Sequence, residues 1–535
     1  MKVVHATEFR GTVVDHQTGA PIAARIYLQN KDGEWLFVNA GSPGASALPY
    51  TEQWVPIPGS VELHTTVSAH EFVADLDPGE YTITIEKGKE YLPVTETIKV
   101  SDSSQVRQFP LHRISHPAAQ GWYCGETHVH RRIQELPIVM AAEDLNVAFP
   151  VTYWTVRSDR VPDLQPSTLR RQGPSPFGPR EDRGSEPVWI DRRHVILPRN
   201  TEYEIFSVGE QRHVLGAVFL LNHQTVMTQT APPIAPIAER AHQEGALLDL
   251  DKHSWPWAAM LVPVAQVDLF ELSNNSVWRT QFGFRQTQVS PADWMNVESD
   301  GPGTLTEWGW LNFGFEFYYA LLNCGFQIMP TAGTASGVHP VPLGYSRVYV
   351  HVDSEQLDVD EWTDGLRHGR SFVTTGPLLY AKLDQQHAGH RFQLTADTVR
   401  DLEFSIETDA DSPVTQIEIL QNGRVVHRVA PQPTAMDTPG FHSSQKITVR
   451  PDRSSWYAVR VIQSLPGGRR RFAHSAPWFV SIDDQPLKPR REQVQYFIDL
   501  LNTEITRNEP VLSEDAMTEF RQALSVYESI LQRAE

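Results

Sequence analysis

The stretch WYCGETHVHRR, residues 122–132, carries two histidines separated by one residue, His128 and His130. In a β-strand, residues i and i+2 point to the same face, so the two imidazoles would lie side by side. Two neighbouring imidazoles are half of a transition-metal site. A chain with 21 histidines also contains such pairs by chance. The interpretation therefore depends on what the rest of the sequence adds.

The size and charge of the chain limit its class and its partners. It has 535 residues, 40% of them hydrophobic and 21% charged. These values are typical of a folded globular protein of about two to four domains. The formal net charge of −19 argues against binding nucleic acid or an anionic membrane, which requires basic patches. We expect a small-molecule substrate, no nucleic acid and no membrane, and the oligomeric state stays open.

The sequence also bears on the compartment. No run of about 18 apolar residues is present, so no transmembrane helix is expected. The N-terminal segment MKVVHATEFRGTVVD lacks the apolar core of a signal peptide, which predicts a cytoplasmic protein. A processed or trimmed chain would look the same, so an extracytoplasmic location remains the alternative. Cys124 and Cys324 are the only cysteines, too few for a disulfide framework, and they leave the redox compartment open.

Residues 1–113 have the pattern of a small β-sandwich. RGTVVD and ARIYLQ flank the turn HQTG, and GEYTITIEKG and ETIKV follow with alternating apolar and polar residues. The segment GTVVDHQTGAPIAARIYL, residues 11–28, resembles the carboxypeptidase-regulatory-like module, which is a seven-stranded sandwich. The resemblance implies the same architecture for this first domain.

Residues 114–376 change to helices followed by strands. IAPIAERAHQEG precedes ALLDLDKH, and FYYALLNCG precedes FQIMPTAG, with Gly245 and Gly325 as expected helix ends. Repeated helix–strand units predict parallel strands with crossover helices, and chemistry at the carboxyl ends of the strands. The Pro-, Gly- and Arg-rich stretch 157–187 is expected to be a long loop near the site.

The remaining residues return to strands and then to helices. Residues 377–482 predict a second β-sandwich, with a hairpin whose turn is Asn422-Gly423. Residues 483–535 predict two amphipathic helices, one over about 490–506 and one after the N-cap Ser513. This tail either pairs with another subunit or folds back on the barrel. The predicted fold is multidomain α/β and all-β, with a barrel between two sandwiches and a helical tail.

Residues of the type that bind metals recur where strands are expected to stop. LLDLDKHSW places His253 at a strand end, GTASGVH ends in His339, and NTEYEIFSVGEQRHVLG carries Glu204 on one strand and His213 at the start of the next. Buried imidazoles without a metal need partners when neutral and repel one another when protonated. Several histidines and a carboxylate at one barrel mouth therefore favour divalent ions.

The same segments resemble a known family. CGETHVHR, EIFSVGEQRHVLG, DKHSW and GTASGVH, in this order, are similar to the metal motifs of the PHP superfamily, named for polymerase and histidinol phosphatase. With GRSFVTTGPLL and the first sandwich, the chain looks most like the carbaryl-hydrolase-like (CehA/McbA) branch. The resemblance spans about residues 8–380. It implies a distorted seven-stranded (β/α) barrel that holds up to three metals.

The resemblance also implies a set of ligands. Carried over residue by residue, one metal would be held by His128, His130 and Glu204. A second metal would be held by Glu204, His213 and His253.

The motifs depart from the family at three places. Gln134 and Glu135 stand where an Asp is usual, TYW at 152–154 replaces TDH, and Gly337 replaces the Asp of the closing motif, leaving His339. The third metal is therefore expected to be absent, and one or two ions are expected. The first site lacks one ligand, which water, Glu126, Glu143 or His339 would supply.

The expected chemistry is that of a metal-activated water. Such ions lower the pKa of bound water from about 15.7 to about 7. Zinc suits a histidine-rich site, with manganese or iron as alternatives. Asp251 shares a strand face with His253 and is a candidate ligand, orienting residue or proton carrier. Lys252 and Arg347 are candidates to stabilise an oxyanion, with surface ion pairs as the alternative.

Other polar residues are interpreted more simply. Glu143 on a helix is expected to face solvent or to support the site, and Glu202 is expected to turn away from Glu204 into solvent. Cys124 is not expected to be a nucleophile. Asn274 and Asn275 contact substrate or form a turn.

Aromatic residues cluster in HSWPW and TEWGWLNFGFEFYY. They either line an aryl-binding pocket or belong to the core.

The favoured function is a metal-dependent hydrolase that attacks an ester, carbamate or phosphoester bond. The family includes all three chemistries, so the fold does not choose among them. Few clustered basic residues favour a neutral or carboxylic substrate. The alternative is a catalytically degenerate barrel that binds a glycan or a partner through its sandwiches. A purely structural metal is a third possibility.

Overall fold

The computed structural model describes residues 6–54, 57–164, 180–435 and 439–535. Over these residues the chain is a multidomain α/β protein, rich in β-sheet, with seven α-helices. None of the described helices has the length and apolarity needed to cross a membrane. About half of the predicted loop at 157–187, residues 165–179, lies outside the described residues.

The first part of the chain forms two sheets with a core of their own. One sheet has the order β10-β1-β7-β4, and the other has the order β5-β6-β2-β8-β9 with β3 added to β2. Phe9, Ile26, Phe72 and Phe109 belong to the buried core between them. The prediction of short strands over residues 8–112 is confirmed. The strands are β1 Thr7–Asp15, β2 Ala24–Asn30, β3 Trp35–Leu36, β4 Asn39–Ala40, β5 Ala47–Gln53, β6 Val61–Val67, β7 Phe72–Leu76, β8 Gly79–Glu86, β9 Val94–Val100 and β10 Gln105–Leu111.

The middle part alternates strands and helices. The strands are β11 Trp122–Val129, β12 Val147–Pro150, β13 Tyr153–Arg157, β14 Val188–Trp189, β15 Val195–Ile196, β16 Thr201–Val208, β17 Gln211–Arg212, β18 Ala217–Leu221, β19 Leu247–Leu250, β20 Leu269–Ser273, β21 Ser299–Gly301, β22 Thr304–Leu305, β23 Met329–Ala332, β24 Arg347–His351 and β25 Ser371–Thr374. The helices are α1 Leu136–Glu143, α2 Ala235–Gln243, α3 Ala258–Ala265, α4 Glu307–Cys324 and α5 Val359–His368. Gly325 ends α4 in the left-handed conformation, as the sequence predicts.

The strands of the middle part are not all parallel, which corrects the prediction. β11 and β12 are parallel, as are β19, β20 and β23, but β18 is antiparallel to both β16 and β19. The connection from β16 to β18 is short enough for two antiparallel strands, whereas two adjacent parallel strands would need a long crossover connection. β13, β16, β18, β19, β20 and β23 form one sheet, with β17 on β16. The ends of β11, β16, β19 and β20 carry the candidate site.

The third part continues the sheet of the middle part. Its strands are β26 Leu378–Leu383, β27 Arg391–Leu394, β28 Leu402–Ala410, β29 Gln416–Gln421, β30 Arg424–Val429, β31 Thr434–Ala435, β32 Phe441–Val449, β33 Ser455–Ser464, β34 Arg470–Ser475 and β35 Trp478–Ile482. β25 pairs with β34, so one sheet runs β14-β15-β12-β11-β24-β25-β34-β33-β29-β30. A second sheet has the order β26-β28-β32-β31. The predicted boundary at 376–377 is therefore not a break in the sheet or in the core.

The helical tail folds back on the middle part. The helices α6 Arg491–Asn508 and α7 Glu514–Leu531 pack on each other and on α3. Glu519 of α7 accepts hydrogen bonds from the backbone N–H groups of Ile234 and Ala235, at the start of α2. This contact satisfies N–H groups that a helix start leaves without an internal partner. Of the two arrangements left open by the sequence, the tail adopts the intramolecular one.

Buried ion pairs join the first part to the middle part. The Arg25 guanidinium of β2 pairs with Glu143 at the end of α1 and lies 2.6 Å from Glu86 of β8. Arg279 also bridges the two parts, 3.2 Å from Glu62 and 3.3 Å from Glu86. Glu143 is thus a buried ion-pair partner and not a solvent-facing residue, which corrects the prediction. Its partner comes from a strand more than a hundred residues earlier in the chain.

Candidate metal centre

The end of strand β11 brings His128 and the following His130 together in a buried position. The backbone is held on one side by the loop after β23, because Ala335 N–H donates to His128 O and His130 N–H donates to Ser336 O. The two Nε2 atoms lie 3.2 Å apart. The i, i+2 spacing in the sequence therefore does place both imidazoles at one point.

A carboxylate completes the first group of donors. Glu202 Oε2 on β16 lies 3.3 Å from His130 Nε2. Neither oxygen of Glu202 has a hydrogen-bond partner among the described residues, although the residue is buried. His128, His130 and Glu202 each present one ligand atom within 4.8 Å of the others. We call this set group one.

The distances in group one fit a transition-metal ion. Nitrogen ligands about 2.0–2.1 Å from a tetrahedral zinc are separated by about 3.3 Å, the edge of the tetrahedron. The two observed separations, 3.2 Å and 3.3 Å, match that edge. An unpartnered buried carboxylate is costly without a cation. Two imidazoles and one carboxylate are also the donor types that zinc, manganese and iron accept.

The other nitrogen of His128 faces a second set of carboxylates. Nδ1 lies 3.1 Å from Glu271 Oε1 on β20 and 3.9 Å from Asp251 Oδ2 after β19. These three residues form group two, whose ligand atoms also lie within 4.8 Å of one another. With its Nδ1–H donated to Glu271, the His128 ring leaves the Nε2 lone pair free for group one. Glu271 therefore orients His128.

The electrostatics of the cluster show an excess of buried carboxylates. Burial, reinforced by neighbouring carboxylates, raises the pKa of Glu202, Asp249 and Glu271 well above the usual range. Burial and the nearby Lys252 lower the pKa of His128 well below its usual value, so the imidazole is neutral. Neutral imidazole is the form that binds a metal. A divalent cation would stabilise the ionised carboxylates that burial disfavours.

Lys252 is a buried counter-ion and not a surface residue. Its ammonium contacts the Asp251 carboxylate and lies 3.6 Å from Glu204 Oε1. Against the effect of burial, these two carboxylates hold the pKa of Lys252 above its usual value. Burial raises the pKa of Glu204 to about 7. Glu204 thus contacts Lys252, whereas Glu202 is the residue that reaches His130.

His213 and His253 do not join either group among the described residues, which corrects the predicted second site. His213 is half-buried and donates to Asn508 Oδ1 of α6 at 2.6 Å. The ring of His253 is packed among the rings of Phe270, Trp310 and Phe313, at centroid distances of 5.5 to 5.8 Å. Burial lowers the pKa of His253 to about 3. Its ring packs as an aromatic residue would, and neither ring nitrogen has a hydrogen-bond partner among the described residues.

His339 lies beside the cluster with aromatic neighbours. Asn275 Nδ2 donates to its Nε2 at 2.9 Å, and Trp54 from the first part stacks on its ring at 4.5 Å. Phe284 and Trp278 also contact the ring. The backbone bridges Val129–Ser336 and Ser336–His339 place His339 close to the end of β11. Asn275 therefore orients a histidine.

Arg347, Glu126 and Cys124 are buried and form hydrogen bonds with backbone groups. The buried Arg347 guanidinium donates to Gly344 O at 2.6 Å and to Glu143 O at 3.0 Å, so it does not form a surface ion pair. Glu126 accepts from Thr334 N–H at 2.7 Å, and burial raises its pKa to about 8. Burial also raises the pKa of Cys124, which agrees with a role other than nucleophile.

Two glycines explain how the loop after β23 approaches the histidines. A Cβ on Gly333 would lie 2.1 Å from His128 Cβ, and one on Gly337 would lie 2.8 Å from His130 O. Gly337 also has a φ of +100°, which only glycine adopts readily. The Asp that the family resemblance would place at 337 is therefore incompatible with this backbone.

Sequence reasoning missed Glu202 and Glu271. The expectation that Glu202 faces solvent is wrong, because residues two apart on a strand share a face and it points the same way as Glu204. Glu271 lies within the run VAQVDLFELSNN, in the middle of the buried strand β20, where a charged residue is itself a functional signal. No protein-family model, curated protein or solved structure matches the chain.

Proposed function

We propose that this chain is a metal-dependent hydrolase of the PHP type, most like the carbaryl-hydrolase-like branch, with its barrel between two sandwiches. The observation that carries the proposal is group one, in which His128 Nε2, His130 Nε2 and an unpartnered Glu202 converge in a buried space. The sequence motifs and this donor set support the same chemistry. The substrate bond is an ester, a carbamate or a phosphoester.

The residues divide into holding and supporting roles. Group one would hold the first ion, and Asp251 and Glu271 of group two support His128 or hold a second. When bound, such an ion supplies Lewis acidity and lowers the pKa of water. The Lys252 ammonium neutralises Asp251 and faces Glu204. Its positive charge would stabilise an oxyanion of the substrate. The buried setting excludes water and strengthens these interactions.

The neighbouring side chains favour a neutral aryl ester or carbamate. Trp54, Phe284 and Trp278 supply apolar ring surface around His339. The arginines close to the histidines are already engaged, because Arg180 donates to His130 O and Val151 O, and Arg131 donates to Ser336 Oγ at 3.1 Å. A polyphosphate would need free cationic donors. An aryl group would stack on the rings.

Metal content and activity test the proposal together. We expect purified protein to retain one or two divalent ions per chain and to hydrolyse aryl esters or carbamates faster than phosphoesters. Chelation is expected to remove turnover and to destabilise the fold, by about 2.7 kcal/mol relative to protein with free metal at a hundred times Kd. Elemental analysis, a substrate panel and thermal melts measure these effects. Protein without metal, or melts that change while no substrate is ever turned over, would contradict a hydrolase.

Trp54→Ala is expected to raise KM for aryl substrates about tenfold, the value of one lost aromatic contact. KM for alkyl esters of similar size should change little, because they do not stack. Steady-state kinetics with matched phenyl and alkyl esters measure the difference. Trp189→Ala is the control, since Trp189 is exposed on β14. Equal changes in KM for both ester classes would show that Trp54 does not contact the aryl group.

A further inference from the structure

A separate cavity lies where the three parts of the chain meet. It has a volume of about 130 Å³ and is lined by the loop between β8 and β9, by Arg279 and Tyr345 of the middle part, and by Asp411 and Arg471 of the third part. Its charged lining consists of five basic residues, Arg25, Lys87, Lys89, Arg279 and Arg471, and two acidic ones, Glu86 and Asp411. None of these residues belongs to the candidate metal centre.

Three of the five basic residues have carboxylate partners. Arg25 and Arg279 share Glu86 and reach Glu143 and Glu62 behind the cavity. Arg471 pairs with Asp411 at 2.9 Å. These pairs account for the negative charge of the lining. The remaining positive charge belongs to the two lysines of the segment Lys87-Gly88-Lys89.

The lysines on either side of Gly88, Lys87 and Lys89, contact different partners. Its φ is +50°, and a Cβ there would lie 2.3 Å from Glu143 O, so the segment packs closely against the end of α1. Lys87 donates to Ala141 O in the last turn of that helix, a favourable place for a cation. Lys89 donates to Thr375 O at 2.8 Å and lies 4.3 Å from the ring centre of Tyr345. Among the described residues, no carboxylate lies within ion-pair distance of either lysine.

The cavity wall also holds hydrogen-bond donors without acceptors. Arg25 Nε and Arg471 Nε are buried and have no partner in the described structure. The Lys89 ammonium has three donors, and one is used by Thr375 O. Burial, together with Arg471 and other nearby cations, lowers the pKa of Lys89 well below its usual value, and a bound anion would favour the charged ammonium. The cavity wall therefore carries both unpaired positive charge and hydrogen-bond donors without acceptors.

We propose that this junction cavity binds a small tetrahedral oxyanion, as free phosphate or sulfate or as the terminal group of a phosphate or sulfate ester. The volume is sufficient for one such ion, and the Lys89 ammonium and the arginine N–H groups match its oxygens. The ligand would contact all three parts of the chain. Its binding therefore stabilises their mutual arrangement.

The test uses the full chain and inorganic phosphate as the probe. We expect saturable binding by calorimetry and a rise in Tm, with sulfate similar and with chloride and acetate much weaker at equal ionic strength. Lys89→Met is expected to weaken phosphate binding about tenfold or more, because a charge-assisted hydrogen bond is lost. Lys99→Met is the matched control, since Lys99 lies exposed on β9 of the same part, paired with Glu80 at 3.1 Å.

Two further variants test whether phosphate binds at the junction cavity or at the metal centre. His128→Ala should bind phosphate as the parent does, whereas Arg471→Lys should bind it more weakly because one ammonium replaces a planar fork. The absence of saturable phosphate binding by the parent protein overturns the proposal, whatever the variants do. Phosphate binding that is lost in His128→Ala but kept in Lys89→Met also overturns it, as does acetate binding as tight as that of phosphate. If Lys89→Met fails to fold, phosphate binding by Arg471→Lys and by the parent protein still tests the proposal.

Discussion

His128→Ala is expected to lose its bound metal and its turnover while the protein remains folded. His128 belongs to both donor groups, with Nε2 facing His130 and Nδ1 facing Glu271. Removal of a supporting residue at a metal site typically costs about 10- to 100-fold in affinity or activity, so loss of a shared ligand should exceed about a hundredfold. Elemental analysis and turnover on the best substrate of the panel measure both effects.

Two further variants make this result specific. His427→Ala removes an exposed histidine of β30 and should retain metal and turnover. Glu202→Gln preserves the shape of the side chain but removes the charge of the carboxylate, so it should weaken metal binding without a large cavity. A His128→Ala protein with the metal content and rates of the parent would refute the assignment of group one.

Arg25→Met is expected to destabilise the folded chain by about 3–5 kcal/mol, the usual cost of breaking a buried ion pair from one side. Arg25 and its partner Glu143 are 6% and 2% exposed, so the carboxylate that remains cannot recover its hydration. The pair also joins the first part to the middle part. Urea unfolding followed by fluorescence measures the loss, with separate transitions fitted where the two parts unfold independently.

The control uses the same residue types at the surface. Arg10 also contacts two carboxylates, those of Glu8 and Glu71, but it is 32% exposed, and Arg10→Met should change stability little. Adding Glu143→Gln to Arg25→Met should recover part of the loss, because the buried charge is then removed. Equal destabilisation by Arg25→Met and Arg10→Met would show that burial of the Arg25–Glu143 pair does not determine the loss of stability.

Local features of the fold could be read from the sequence because they depend on residues close together in the chain. The helix end at Gly325 and the N-cap at Ser513, which accepts from Ala516 N–H, form where predicted. The Asn422-Gly423 turn joins β29 and β30, with both residues at positive φ. Each requires a particular backbone conformation or a capping oxygen that few residue types provide.

The sequence predicts only part of the set of metal ligands that the structure brings together. His128 lies in β11 and His130 follows its last residue, Val129, and the spacing of two residues brings the two imidazoles together. The choice of Glu202 over Glu204 as the neighbour of His130 depends on where β16 lies relative to β11, and the two strands are in different sheets. His213 and His253 have the right residue type, yet Asn508 binds one and aromatic rings enclose the other. No local pattern encodes those distant partners.

By itself, then, the sequence determined the paired imidazoles at the end of β11 and most of the element types, since these follow from short-range geometry. The tertiary structure alone decided that the sheets are mixed, that Glu202 and Glu271 face His130 and His128, and that Trp54 from the first part covers His339. It also decided the meeting of Lys89 and Arg471 at the junction cavity. Contacts between residues far apart in the chain depend on how sheets pack, and packing is a property of the whole core.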